Sequence, residues 1–236
     1  MGQKGNVRIT WLGHATFKIT SVAGKTVLID PWIEGNPATP AGLKKLDRID
    51  VMLITHGHFD HIGDAISLAF AHGPAVVCNW ETSVWLESKG VRRITGMNKG
   101  GTVEVAGMKV TMVHADHSCG ILDDGRVVYG GDPCGYVVEL ENGYRIYHAG
   151  DTNVFGDMAL IGELCSPDLA LLPIGGHYTM GPAGAARACR LLGVAAVIPM
   201  HFGTFPVLEG TPAELKAAAR DIQGLQIVEL RPGEAY

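Results

Sequence analysis

Apolar and polar residues alternate in short stretches at the start of the chain. Val7, Ile9 and Trp11 are separated by single residues, and so are Phe17 and Ile19. A spacing of two is typical of strands with one buried face. The beginning of the chain therefore predicts strands.

A continuous apolar run at residues 51–55 (VMLIT) predicts a strand buried on both faces. Residues 60–73 follow with apolar positions at helical spacing, and Gly73 offers a stop signal. The buried strand therefore ends directly at His56, just before a single predicted helix.

The remaining segments mix strand-rich stretches with alternating strands and helices. The sequence predicts strands at 26–30, 75–78, 168–174, 194–200 and 225–230, several strands within 102–129, a hairpin over 136–151 turning at Asn142–Gly143, and helices at 81–90, 181–193 and 211–224. No linker or charge block interrupts them. We expect one domain over residues 1–236, an α/β sandwich with helices on the outside.

Composition narrows the classes of partner and compartment. The net charge of −5 argues against a nucleic-acid partner, which would favour a basic surface. No segment resembles a signal peptide or a membrane span. Five cysteines without a CxxC pair argue against a disulfide framework, so a cytoplasmic location is expected. Homo-oligomerisation is left open.

The segment THGHFDHIG, residues 55–63, carries the strongest chemical signal. His56 and His58 lie two apart in a loop, so both can converge on one metal ion. Asp60 and His61 emerge in another direction, where the helix begins, and can serve a second ion. Imidazole and carboxylate donors together suit zinc, and also manganese or iron.

Four further ligand-type residues follow apolar strands elsewhere in the chain. They are Asp30, His117, Asp151 and His201. Open α/β architectures bind ligands at the carboxyl ends of their strands. Together with the histidine-rich loop, these residues predict one site. His114 follows the same strand as His117, and chemistry alone leaves the choice between them open.

The order of these residues resembles the metallo-β-lactamase superfamily over nearly the whole chain. The phrases ITWLGHATFKI, YHAGDTNVFGDM, LLPIGGHYTMGP and IPMHFGTFP are similar to those of the metal-dependent hydrolases related to ascorbate-6-phosphate lactonase and N-acyl-phosphatidylethanolamine phospholipase D. That resemblance implies an αββα sandwich with two metal ions at the strand ends along one edge. It also favours His117, which is followed by Ser118, over His114.

The resemblance further implies a role for each ligand. His56, His58 and His117 would bind one ion, and Asp60, His61 and His201 the other. Asp151 would bridge both ions, and Asp30 would orient a ligand histidine. The expected ions are zinc, or else manganese or iron.

Two such ions, roughly 3.5–4 Å apart, can lower the pKa of a shared water to about 7. The resulting hydroxide would cleave an ester, lactone or phosphodiester bond of a small substrate, with Asp60 or Asp151 steering the proton. No cluster of Lys or Arg flanks the ligand loops, which favours an uncharged ester or lactone.

Candidates for the substrate pocket are His14, His114, His177 and Tyr178. For His14, a structural hydrogen bond is an equal alternative. Two alternative functions are a mononuclear iron or redox enzyme on the same fold and a non-catalytic metal-binding module. The complete ligand set argues against the second, and the histidine at position 58 argues against diiron redox chemistry.

Overall fold

A computed structural model describes residues 5–236, and its first half forms a six-stranded sheet. The strands, in sheet order, are β1 (Arg8–Gly13), β2 (Thr16–Thr20), β3 (Thr26–Ile29), β4 (Val51–Leu53), β5 (Ala75–Asn79) and β6 (Ile94–Met97). The first three are antiparallel neighbours, and β3 to β6 run parallel. Parallel strands place the chain leaving β3, β4 and β5 at one common edge.

The second half forms a seven-stranded sheet. Its strands are β7 (Thr102–Val105), β8 (Met108–His114), β11 (Cys134–Glu139), β12 (Arg145–His148), β13 (Leu169–Pro173), β14 (Ala196–Met200) and β15 (Gln226–Ile227). Their order is β15-β14-β13-β12-β11-β8-β7. Between β8 and β11 lies a separate hairpin of β9 (Gly120–Asp123) and β10 (Arg126–Tyr129).

Helices cover the outer face of each sheet. They are α1 (Phe59–Ile62), α2 (Ala65–His72), α3 (Trp80–Ser88), α4 (Met158–Cys165), α5 (Pro182–Leu192) and α6 (Pro212–Ala218), with a short 3-10 helix at Ala41–Leu43. No helix in residues 5–236 is long and apolar enough to cross a bilayer.

The side chains of β3 show why the strands pair into layers. Val27 and Ile29 belong to the core between the two sheets, whereas Leu28 packs into the core beneath the first-half helices. Met52 of β4 also packs into the core beneath the first-half helices. Both faces of these strands are buried, which explains their continuous apolar sequence. The expected αββα sandwich is confirmed.

The single helix predicted over residues 60–73 is wrong, because two helices meet at Gly63 and Asp64. The backbone N–H of Asp64 donates to Pro31 O (2.8 Å) instead of a helical carbonyl. Its carboxylate accepts from the backbone N–H groups of Ile33 and Glu34 (2.5 and 2.9 Å). These contacts hold α1 as a short separate turn. Phe70, which the helical spacing places on the apolar face, is 64% exposed on α2.

Some elements are not predicted by the sequence pattern, and others are shorter than predicted. The strand β6 and the helix α4 are not predicted, and the helix predicted at 211–224 ends at Ala218. Within α4, a Cβ at Gly162 would lie 2.5 Å from Leu192 O. Glycine permits this close approach to α5, but it also weakens the helical pattern. The last strand is likewise shorter than the predicted 225–230.

Candidate metal centre

Ligand-type side chains from both sheets meet at one edge of the sandwich. Most of them lie at or just after the end of a strand, whereas Asp60 and His61 lie in the short helix α1 that follows the loop after β4. The residues are His14, Asp30, His56, His58, Asp60, His61, His117, Asp151 and His201. The structure thus brings together all seven predicted ligands, with Asp30 behind them.

His56, His58 and His117 form the first group, with their ring nitrogens within 4.8 Å of one another. His56 Nε2 lies 2.9 Å from His58 Nδ1, and His117 Nε2 lies 3.3 Å from the same atom. The Thr55 hydroxyl donates its proton to Asp30 (2.7 Å) and therefore accepts from His56 Nδ1 (2.9 Å). His56 Nε2 consequently turns a lone pair towards the group.

The second group contains His14, Asp60, His61 and His201. Asp60 Oδ2 lies 2.9 Å from His14 Nε2, 4.0 Å from His61 Nε2 and 3.9 Å from His201 Nε2. His61 Nδ1 lies 2.7 Å from Asp30, which directs Nε2 of the same ring into the group. This group mixes one carboxylate with imidazoles, whereas the first is all imidazole.

Asp151 lies between the two groups. Its Oδ2 atom is 2.9 Å from His201 Nε2 and 3.2 Å from His61 Nε2, both in the second group. The same atom is 3.7 Å from His117 Nε2 and 4.0 Å from His56 Nε2, both in the first. One carboxylate oxygen therefore faces both groups.

The donor atoms of this cluster fit metal ions. Asp151 Oδ1 is buried without a hydrogen-bond partner, and the buried His61 Nε2 and His201 Nε2 make no well-directed hydrogen bond although Asp151 Oδ2 lies 3.2 and 2.9 Å away. A buried polar atom without a partner costs about 1–3 kcal/mol, so such atoms rarely cluster without a ligand to satisfy them. Nitrogen and carboxylate oxygen donors in two adjoining groups suit two divalent ions of the zinc, manganese or iron type.

Burial keeps the first group in the neutral form that can ligate. It lowers the pKa of His56 well below the usual value, and it also lowers the pKa of His58 and of His117. Burial would raise the pKa of Asp151, but His201 and His61 outweigh it and hold that pKa well below its usual range. The central carboxylate is therefore charged.

Asp60 and His14 form a polarised pair in the second group. Burial would raise the pKa of Asp60, but the hydrogen bond from His14 and the nearby His61 outweigh it and lower the pKa to about 2. Burial lowers the pKa of His14 to about 4. At neutral pH, His14 is thus neutral and donates its Nε2 proton to an ionised Asp60.

The remaining pocket candidates occupy different places. His14 is fully buried behind Asp60. His114 is exposed, lies 3.5 Å from Lys99 Nζ and packs edge-on against Phe155. His177 lines a separate depression beside Pro182, whereas Tyr178 faces the cavity over the cluster.

A cavity of about 580 Å³ opens onto the cluster. Its lining comprises His58, Phe59, Asp60, His117, Ser118, Asp151, Tyr178, His201, Phe205 and Val207. Sequence reasoning assigned no role to Phe59, Phe205 or Val207. An available signal was the apolar content of the loop after His201, since apolar residues in a loop cannot be explained by strand or helix periodicity.

Comparison with known proteins gives a family match and several relatives. Residues 25–202 match the family model described as a β-lactamase superfamily domain. A UPF0173 metal-dependent hydrolase of Koribacter versatilis is 55% identical over 230 residues, covering 98% of this chain and 97% of its own. Another, from Rubrobacter xylanophilus, is 53% identical over 232 residues, covering 98% and 96%.

A solved structure extends the comparison to three dimensions. Igni18, a metallo hydrolase from the hyperthermophilic archaeon Ignicoccus hospitalis, superposes with a TM-score of 0.86 at 37% identity. The match covers 98% of this chain and 97% of Igni18.

Proposed function

The chain belongs to the metallo-β-lactamase superfamily and is a metal-dependent hydrolase, and from that premise we propose that it uses two divalent ions to cleave an ester, lactone or phosphodiester bond of a small substrate. The observation that carries this proposal is the position of Asp151. Its Oδ2 atom lies within 4.0 Å of ring nitrogens from both groups. A single-ion site needs no such shared carboxylate.

The proposed ligands divide as the two groups do. His56, His58 and His117 would hold one ion, and Asp60, His61 and His201 would hold the other, with Asp151 available to both. Zinc suits this set, and manganese and iron(II) are the alternatives. When bound, the pair supplies Lewis acidity and a water of lowered pKa.

Residues of the chain itself orient the reactants. Asp60 lines the cavity and, with a pKa of about 2, is ionised at neutral pH. It can accept a hydrogen bond from a water in the cavity and fix the direction of its proton. His14 holds the carboxylate from behind, so Asp60 keeps one orientation. Neither serine nor cysteine is needed as a nucleophile.

A cytoplasmic location and the lack of a nucleic-acid partner remain predictions from the composition of the chain, and a small-molecule substrate remains a prediction from its resemblance to hydrolases.

Substitution of the shared carboxylate tests the proposed function. Zinc-loaded wild type, Asp151→Ala and Asp132→Ala are compared for zinc content and for hydrolysis of a panel of neutral esters, lactones and phosphodiesters. Asp132 is the control, since its side chain is 65% exposed and paired with Lys99. We expect Asp151→Ala to lose hydrolysis of every compound that wild type cleaves and to hold fewer than two ions. Full zinc content and normal rates in Asp151→Ala would refute the proposal.

A further inference from the structure

The cavity above the metal ligands has two chemically different sides. One side is made of the ligand side chains. The other consists of Phe59, Tyr178, Phe205 and Val207, and the remaining lining residue, Ser118, lies beside the ligands with its hydroxyl 3.3 Å from His58 Nε2. Tyr178 is 58% exposed and Val207 is 43% exposed. The second side therefore presents apolar surface to whatever enters the cavity.

The two phenylalanines on this side are held by a buried tryptophan. The Trp32 ring, only 6% exposed, stacks on Phe205 with centroids 5.9 Å apart and meets Phe59 edge-on at 5.8 Å. Phe59 and Phe205 are 6.5 Å apart. We call Phe59 and Phe205, with Trp32 behind them, the aromatic wall.

The aromatic wall lies beside the metal ligands. Phe59 stands between His58 and Asp60 in the chain, and its ring packs edge-on against Trp32. It nevertheless leaves 57% of its side chain exposed. An exposed aromatic ring beside a reaction centre is typical of a binding surface, because a ligand that covers it gains apolar burial.

Cationic side chains are missing from the cavity lining within residues 5–236. Lys99 Nζ lies 3.5 Å from His114, outside the lining, and is paired with Asp132 at 2.8 Å. Bound metal ions would attract an anion at the reacting bond itself. A second anionic group, remote from that bond, would meet the aromatic wall without a partner and lose its hydration.

We infer, building on the proposed function, that the substrate is a small ester or lactone whose non-reacting part is an uncharged, apolar group of about phenyl size that packs on the aromatic wall. Phe59 and Phe205 are then specificity-determining residues. A volume of about 580 Å³ accommodates the reacting group together with one such ring. Substrates that carry a remote phosphate or carboxylate are disfavoured.

Hydroxamates test the inference without requiring turnover, since the hydroxamate group chelates metal ions whatever its substituent. The zinc-loaded protein is titrated calorimetrically with acetohydroxamate, phenylacetohydroxamate and the monohydroxamate of succinate, which carries a remote carboxylate. We expect phenylacetohydroxamate to bind about tenfold or more tightly than acetohydroxamate, because the ring buries apolar surface. The succinate compound is expected to bind no more tightly than acetohydroxamate.

Variants test whether the preference for phenylacetohydroxamate over acetohydroxamate depends on the aromatic wall. Phe59→Ala is expected to reduce the phenyl preference several-fold, and Phe59→Leu to reduce it less. Phe70→Ala is the matched control, since Phe70 is 64% exposed on α2 and lies outside the cavity lining. It should leave the preference unchanged. Circular dichroism checks that each variant is folded.

The outcomes separate this inference from the proposed function. Equal affinity for all three compounds, or tightest binding of the succinate compound, overturns the inference while the metal centre stands. An unchanged preference in folded Phe59→Ala overturns the role of the wall. If no hydroxamate binds although zinc is present, the proposed centre is not accessible from the cavity and the inference fails with it.

Discussion

Asp30 Oδ2 lies 2.7 Å from His61 Nδ1, and both side chains are fully buried. The same carboxylate accepts from the backbone N–H and the hydroxyl of Thr55 (2.8 and 2.7 Å). Three donors therefore fix Asp30, and Asp30 in turn fixes the His61 ring. The Nδ1 proton points to Asp30, so Nε2, which lies 3.2 Å from Asp151 Oδ2, is the ring atom turned towards the proposed metal site.

Loss of this contact is expected to weaken metal binding. Asp30→Ala removes the acceptor that orients His61, and such supporting contacts are typically worth 10–100-fold in metal affinity. We expect a loss in that range for the second ion, measured by competition with a chelator. Asp50→Asn is the control, because Asp50 also accepts a backbone N–H, that of Thr26, but lies at the opposite end of the parallel strands. Equal affinity in Asp30→Ala and Asp50→Asn would contradict this role.

His14 is expected to act through Asp60. Its imidazole donates to Asp60 Oδ2 at 2.9 Å from a fully buried position. His14→Ala should weaken binding of the second ion by roughly tenfold, because Asp60 is left free to rotate. His14→Gln should recover part of the loss, since an amide can donate the same hydrogen bond. The zinc affinities of His14→Ala and His14→Gln are compared. Equal affinities would show that the packing of the His14 ring matters and its hydrogen bond to Asp60 does not.

His117 and His114 are expected to differ sharply although they lie three residues apart. His117 Nε2 faces His58 and Asp151, whereas His114 is exposed beside Lys99. His117→Ala should lose the first ion, because His56, His58 and the shared Asp151 carboxylate hold it poorly without the third imidazole. His114→Ala should keep two ions. Anomalous diffraction from crystals of both variants gives the answer, and loss of an ion only in His114→Ala would reverse our assignment.

Gly57 is expected to tolerate no side chain. It separates His56 from His58, and a Cβ there would lie 2.3 Å from Ile121 Cγ1 in the β9–β10 hairpin. Gly57→Ala should therefore displace the ligand loop and destabilise the protein by about 1–3 kcal/mol. Added to Ile121→Ala, the same change should cost much less. Urea denaturation of the two single variants and the double variant tests this, and strictly additive losses would show that the hairpin does not constrain the loop.

Patterns within single segments of the sequence predict much of the fold and the proposed set of ligands. The run from Val51 to Ile54 is apolar because both faces of β4 are buried, and the chain then emerges at the edge where ligands can converge. The hairpin turn at Asn142–Gly143 follows from its two residue types, and Gly143 has φ of 78°. Patterns of this kind depend on neighbours in the chain.

The features that escaped prediction depend on distant residues. The break after α1 arises because Asp64 bonds to the segment after β3, some 30 residues earlier. The aromatic wall forms because Trp32 and Phe205 meet from opposite halves of the chain. His114 remains paired with Cys134 inside the sheet, while His117 lies beyond the end of β8. No pattern within one segment contains these contacts.

The central claim, two ions joined by Asp151, is tested most directly by anomalous diffraction from zinc-loaded crystals, with zinc content per chain measured in the same preparation. We expect two zinc ions per chain and two anomalous peaks roughly 3.5–4 Å apart, both in contact with the Asp151 carboxylate. His56, His58 and His117 should surround one peak, and Asp60, His61 and His201 the other. A single peak after full loading, or two peaks of which only one contacts Asp151, would contradict the account.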